Sequence, residues 1–125
     1  MGLDIYGKKD YIRFNWTGSR VFQEWCFKNQ LPQPFIKWNG NNDGKDGPYL
    51  DLSKDEDRES VKEFLDAYEK KFPEFAEYGY GEAVRNVLFD KDQLGTDEKW
   101  DEYTGLAYYM FLRYQYEIQG EVVYS

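Results

Sequence analysis

The 125-residue sequence contains no histidine, which removes the commonest proton shuttle near neutral pH. Nucleophilic mechanisms that pair serine or cysteine with a histidine base are excluded with it. The single cysteine, Cys26, has no partner for an internal disulfide, which is typical of proteins from reducing compartments. Because Cys26 stands beside Trp25 on an apolar helical stripe, we expect a buried and unreactive thiol.

Long hydrophobic runs and clusters of positive charge are also missing. No apolar stretch approaches the length of a membrane span, and Met1–Tyr6 lacks the basic and apolar regions of a signal peptide. The chain has 16 Lys and Arg against 24 Asp and Glu, a net charge of −8, and its cations are dispersed. The sequence therefore disfavours membrane insertion and direct nucleic-acid binding, and it indicates a cytoplasmic protein.

Aromatic residues, in contrast, are abundant, with twelve Tyr, nine Phe and four Trp. We expect most of them in the core or at its edge, where the amphipathic rings of tyrosine and tryptophan are common. The remainder would suit a binding surface, because these rings combine a flat apolar body with a polar tip.

The two ends of the chain carry the alternation of β-strands. Leu3–Tyr6 and Tyr11–Trp16 alternate apolar with other side chains, and Gly7–Asp10 between them predicts the turn of a hairpin. Glu121–Tyr124 predicts a closing strand, and Phe35–Trp38 a short internal one. The sheet is therefore expected to gather both chain ends.

Helices are predicted where apolar residues recur every three or four positions. The first is predicted over Gly18–Lys28, behind capping hydroxyls from Thr17 and Ser19. A second is predicted to begin at a capping box formed by Ser53 and Glu56. Its apolar stripe consists of Val61, Phe64, Leu65, Tyr68 and Phe72.

The last third of the chain predicts one long helix. After a capping Thr96, apolar residues recur every three or four positions as far as Ile118, with tyrosines on more than one face of the helix. A short helix is predicted after Gly81, on Ala83, Val84, Val87 and Leu88. Together these elements predict a single α+β domain over residues 1–125, with a small, mostly antiparallel sheet packed against three to four helices.

Two further patterns have ordinary structural explanations. The acidic clusters Asp55–Asp57 and Asp97–Glu102 fall in predicted first turns of helices, where their charges favour the helix dipole and face water. Asn39–Gly44 resembles half of a calcium-binding loop, but the twelfth position is Leu50 where a glutamate is required. The sequence thus predicts no metal site and no cofactor.

The candidate binding site lies where the second strand passes into the first helix. Free amides of the helix N-terminus and the guanidinium groups of Arg13 and Arg20 could converge there on an anion, beside a stacking aromatic ring. The alternative is an ordinary capped helix with exposed arginines. The candidate residues are Tyr6, Arg13, Asn15, Trp16, Thr17, Ser19, Arg20, Trp38, Asp43 and Lys45.

The opening sequence Met-Gly-Leu-Asp-Ile-Tyr, residues 1–6, resembles that of small uncharacterised proteins from bacteriophages and bacterial genomes. Those proteins share an aromatic-Ser/Thr-Gly step before a helix, here Trp16–Gly18, and a glycine-containing acidic loop, here Asp43–Pro48. They also end in a short segment similar to Gly120–Tyr124. The resemblance carries no established activity, and it implies an accessory role in a phage or mobile element.

These observations predict a non-enzymatic protein that acts by stoichiometric binding. Its partner would be a nucleotide-like small molecule that it sequesters, or a host defence protein that it masks. One alternative is an acidic inhibitor that mimics nucleic-acid charge and occupies a DNA-handling protein. Another is an enzyme that uses carboxylates alone. The tyrosines of the last helix leave self-association open as well.

Overall fold

A computed structural model describes residues 2–34, 49–73 and 97–124. Within these residues four strands form one antiparallel sheet, and three helices pack against it, which confirms the predicted α+β class. The strands are β1 (Gly2–Gly7), β2 (Asp10–Asn15), β3 (Tyr49–Asp51) and β4 (Glu121–Tyr124). The helices are α1 (Trp16–Lys28), α2 (Asp55–Lys71) and α3 (Asp97–Ile118).

The strand order β2-β1-β4-β3 brings the two ends of the chain side by side. β1 pairs with β4, with Ile5 opposite Tyr124, so the predicted meeting of hairpin and closing strand is confirmed. β3 pairs with the other edge of β4. This third strand was not predicted, because three residues are too few to show an alternation.

One face of the sheet, which we call the inner face, is covered by the helices. Alternation directs Ile5, Leu50, Val122 and Tyr124 to this side, and all four are buried. They join one core with buried residues of all three helices, including Phe22, Phe64 and Tyr108. Among the described residues, seven aromatic side chains are buried in this core.

The apolar stripe predicted for the second helix is confirmed. Val61, Phe64, Leu65 and Tyr68 are buried, and Phe72, directly after the last residue of α2, packs against them. The α2 stripe meets α3 through Tyr68 and Tyr109, whose rings stack with centroids 4.8 Å apart.

α3 is the most enclosed helix of the described chain. Its buried residues Tyr108 to Leu112 are consecutive, so they surround the helix on all sides. Gly105 allows α1 to approach, because a Cβ atom there would lie 3.0 Å from the ring of Trp25. The predicted long helix that ends at Ile118 is confirmed, and the structure adds that its second half lies in the core.

The turn between β1 and β2 is held by a buried glutamine of α3. The Gln115 side chain accepts a hydrogen bond from the Lys8 amide at 2.8 Å and donates one to the Lys8 carbonyl at 3.0 Å. A side chain at Gly7 would collide with it, since a Cβ atom there would lie 2.7 Å from Gln115. Gln115 thereby fixes the register of the hairpin, in which Tyr6 lies opposite Tyr11.

The beginning of the first helix differs from the prediction. α1 starts at Trp16, so Trp16 does not end β2, and Thr17 and Ser19 lie within the first turn instead of capping it. The residue directly ahead of α1 is Asn15, a type favoured immediately before a helix. The strand alternation simply ends one residue earlier than the sequence pattern suggested.

The capping box predicted for the second helix is wrong. α2 begins at Asp55, and the Ser53 hydroxyl instead donates to the Asp51 carboxylate at 2.6 Å. Asp57, expected to face water with its acidic neighbours, is buried and accepts the Asp51 amide at 2.9 Å. These bonds form because the tight connection from β3 into α2 brings Asp51 within reach of both side chains.

Four predictions fall on residues outside the described ranges. They are the strand at residues 35–38, the loop at residues 39–48, the short helix after residue 81 and the cap at residue 96.

Candidate functional site

The face of the sheet opposite the helices carries a row of side chains that crosses all four strands. Tyr11 of β2 lies opposite Tyr6 of β1, Tyr6 opposite Val123 of β4, and Val123 opposite Tyr49 of β3. We call these four residues the tyrosine row, which spans about 14 Å at the usual spacing of strands. We call the whole surface the outer face; its residues are Asp4, Tyr6, Tyr11, Arg13, Tyr49, Asp51, Glu121 and Val123.

The tyrosine row is most exposed on the hairpin. Tyr6 and Tyr11 keep 50% and 46% of their surface accessible, although their ring centroids are only 5.1 Å apart. Tyr49 and Val123 are half-buried. Two adjacent rings therefore present a nearly continuous aromatic surface to any partner.

Polar contacts hold Tyr11 in position without covering its ring. Its hydroxyl donates to the Asp4 carboxylate at 2.5 Å, and this hydrogen bond raises the pKa of Tyr11. Its amide donates to the Asp10 carboxylate at 2.8 Å, and Arg13 pairs with Asp4 at 3.6 Å. Tyr11 is thus ordered before any partner arrives, which lowers the entropic cost of binding.

The charges of the outer face are predominantly negative. Asp4, Asp51 and Glu121 contribute carboxylates, and Arg13 is the one cation among the residues of this face. Asp51 and Glu121 lie directly opposite each other on β3 and β4. With three carboxylates and one guanidinium, the outer face carries a net negative charge.

A second exposed surface lies on α1, on the side away from the core. An open concavity of about 340 Å³ is lined, among the described residues, by one aromatic ring and four polar or charged side chains. We call it the α1 groove; its described residues are Arg20, Gln23, Glu24, Phe27 and Lys28. Phe27 is 85% exposed, far more than the other large apolar residues that the structure describes as exposed.

The structure separates the two arginines that the sequence analysis placed at one site. Arg13 follows the inward-facing Ile12 on β2 and therefore projects from the outer face, beside Tyr6. Arg20 lies on α1 and lines the α1 groove. Of the predicted site residues, Tyr6 and Arg13 share one surface and Arg20 belongs to another.

The remaining predicted site residues are only partly described. Asn15 is the last residue of β2, and Trp16, Thr17 and Ser19 form the start of α1, but the structure describes only their backbone. Trp38, Asp43 and Lys45 lie outside the described ranges.

Sequence reasoning missed Tyr11, Tyr49, Val123 and Phe27. A strict two-residue turn at Lys8 and Lys9 would have placed Tyr6 opposite Tyr11, but the sequence allowed a longer turn. Tyr49 belongs to the strand that was not predicted. Phe27 was hidden because an apolar residue near the end of a helix usually packs inward.

Two kinds of chemical site, a reactive thiol and a metal cluster, can be checked in the described part of the chain. Cys26 is buried as predicted, and burial raises the pKa of its thiol to about 12, so it stays protonated at neutral pH. No group of three or more potential metal ligands occurs among the described residues. None of the described helices has the length and apolar character that crossing a membrane requires.

No protein-family model, no curated protein sequence and no solved structure matches this chain.

Proposed function

We propose that this chain is a stoichiometric binding protein of the phage accessory kind, which masks a surface of a host protein with its outer face. The tyrosine row is the observation that carries the proposal. Tyr6 and Tyr11 are adjacent and half-exposed, Tyr11 is held in place by a hydrogen bond, and tyrosine is among the residues that dominate protein interfaces.

The charge of the outer face indicates the kind of partner. Its carboxylates favour a basic protein surface, and the exposed faces of the Tyr6 and Tyr11 rings suit the guanidinium and ammonium groups of such a surface. The net charge of −8 attracts a basic partner over longer distances. The host target is therefore expected to present arginine and lysine side chains at the contact.

Matched capture from a bacterial lysate tests this proposal. The wild-type chain, a Tyr6→Ala/Tyr11→Ala variant and a Lys62→Ala control would be immobilised separately, and recovered proteins quantified by mass spectrometry. We expect one protein to be retained in a 1:1 complex by the wild type and the control, and its recovery to fall at least about tenfold with the double variant. Equal recovery by all three chains would contradict the proposal.

A second candidate function, the nucleic-acid mimic, is favoured by a different observation. Exposed carboxylates follow one ridge of α2 at intervals of three and four residues, at Glu56, Glu59, Glu63 and Asp66. Such a ridge repeats negative charge about every 5 Å, which resembles a phosphate backbone. A nucleic-acid mimic would contact its partner through α2, whereas the leading proposal places the contact on the outer face.

Charge removal on α2 separates the two functions. A Glu59→Gln/Glu63→Gln variant should lose binding to a DNA-handling protein if the ridge acts as a mimic, with a strong dependence on salt concentration. Under the leading proposal the same variant retains its partner, whereas the Tyr6→Ala/Tyr11→Ala variant loses it.

A further inference from the structure

The α1 groove combines an exposed aromatic ring with unpaired positive charge. Phe27 is 85% exposed, and no ion pair joins Arg20 or Lys28 to a carboxylate within the described part of the chain. Two cations against the single carboxylate Glu24 give the described lining a net positive charge, in a chain whose net charge is −8. Positive charge beside the exposed ring of Phe27 suits a ligand that is both aromatic and negatively charged.

The geometry of α1 fixes how far apart the two features lie. Arg20 and Phe27 are seven residues apart, which places them on one line of the helix surface with their Cα atoms about 10 Å apart. Lys28 adjoins Phe27 at the other end of the groove. A ligand that uses both ends must therefore carry its negative charge some distance from its ring.

From this placement we infer that the α1 groove binds a nucleoside polyphosphate or a similarly extended nucleotide. The base stacks on the Phe27 ring, and the phosphates lie against the guanidinium of Arg20 at the opposite end of the groove. The groove offers about 340 Å³ of open space beside these side chains, which is room for a stacked base. This inference is independent of the outer face and of the protein that the outer face is proposed to mask.

The experiment measures backbone amide shifts of the ¹⁵N-labelled full chain by NMR during titration with ATP, adenosine or tripolyphosphate. ATP should shift amides of residues 20–28 in a saturable manner and bind at least about fivefold more tightly than adenosine or tripolyphosphate, because only ATP engages both ends of the groove. Absence of saturable ATP binding, or equal affinity for ATP and tripolyphosphate, would overturn the inference.

Variants locate the bound nucleotide. Phe27→Ala and Arg20→Ala should each weaken ATP binding at least about fivefold, while Glu24→Gln should strengthen it by removing the one opposing charge of the described lining. Arg13→Ala is the matched control, since Arg13 lies on the outer face. ATP binding that is unchanged by Phe27→Ala, or that is lost with Arg13→Ala, would contradict this location.

Discussion

The two faces of the sheet use the same residue type in opposite ways. On the inner face, the Tyr124 hydroxyl lies 2.7 Å from that of Tyr108, which in turn donates to the Pro34 carbonyl, and both rings are buried. On the outer face, the Tyr11 hydroxyl is equally satisfied by Asp4, yet nearly half of Tyr11 is exposed. Hydrogen bonding does not distinguish these tyrosines. The difference lies in what covers the ring.

This comparison separates residues that hold the fold from residues available for binding. Covered rings contribute through burial and dispersion, and removing them leaves a cavity. Open rings contribute little to stability and remain free to contact a partner.

The largest effect is expected from neighbours that face opposite ways on β1. Ile5 is fully buried, so Ile5→Ala should lower the free energy of unfolding by about 2–5 kcal/mol. Tyr6 is half-exposed, so Tyr6→Ala should cost less than about 1 kcal/mol, the scale of a cross-strand pair. Urea denaturation of both variants measures the difference. An equal loss in the free energy of unfolding for the two variants would contradict the distinction between the inner and outer faces.

The next effect concerns the buried glutamine that fixes the hairpin. Gln115→Ala removes both partners of the Lys8 backbone groups and should destabilise the chain by about 1–3 kcal/mol. Amide hydrogen exchange at Lys8 should accelerate by more than global unfolding accounts for. Gln23→Ala, on the surface of α1, is the matched control. Unchanged exchange at Lys8 would mean that Gln115 does not anchor the turn.

Alkaline pH acts on the covered side through three buried groups. Burial raises the folded-state pKa of the Cys26 thiol from 9.0 to about 12, and it raises those of Tyr108 and Tyr124 as well. A buried thiol or phenol whose pKa is higher in the folded state contributes its full stability below its unfolded pKa. As pH rises towards the folded pKa, the unfolded chain ionises first, and the free energy of unfolding falls. For Cys26 the loss begins near pH 9 and amounts to about 1–2 kcal/mol at pH 10.

Urea denaturation at several pH values measures this dependence. The wild-type chain should lose stability between neutral pH and pH 10, and Cys26→Ala should lose less over the same interval because its thiol is absent. An identical decline in both chains would show that Cys26 does not titrate with unfolding.

The smallest effect is expected at an exposed ion pair away from the outer face and the α1 groove. Lys62 and Asp66 on α2 are 2.7 Å apart, but more than half of each side chain is accessible to solvent. The hydrogen bond to Asp66 raises the pKa of Lys62, yet water and salt screen such pairs. Lys62→Ala should leave the melting temperature unchanged in a thermal scan. A clear decrease in the melting temperature would show that a solvent-exposed side chain can still contribute to stability.

Much of the fold follows from local patterns that the sequence displays openly. The strand alternation at both chain ends and the stripe from Val61 to Tyr68 are periodic signals strong enough to predict β1, β4 and α2. The burial of Cys26 follows in the same way from its place beside Trp25. These predictions are confirmed because the apolar side chains within each element determine which of its sides is buried.

The rest depends on contacts between distant parts of the chain. Ser53 fits a capping box locally, but its hydroxyl is taken by Asp51, a competition that only the connection from β3 to α2 reveals. The tyrosine row requires the register of three strand pairs, which Gln115 helps to set from more than a hundred residues away. Arg13 and Arg20 are close in sequence, yet they lie on different surfaces because a strand ends and a helix begins between them.

Oxidative footprinting of the tyrosines in the complex tests the central claim most directly. The purified partner complex and the free chain would be exposed to hydroxyl radicals, and modification of each ring quantified by mass spectrometry. We predict that Tyr6 and Tyr11 are modified readily in the free chain and at least about tenfold more slowly in the complex, while Phe27 is unaffected by the partner. If Tyr6 and Tyr11 react equally fast in both states, the outer face is not the binding surface.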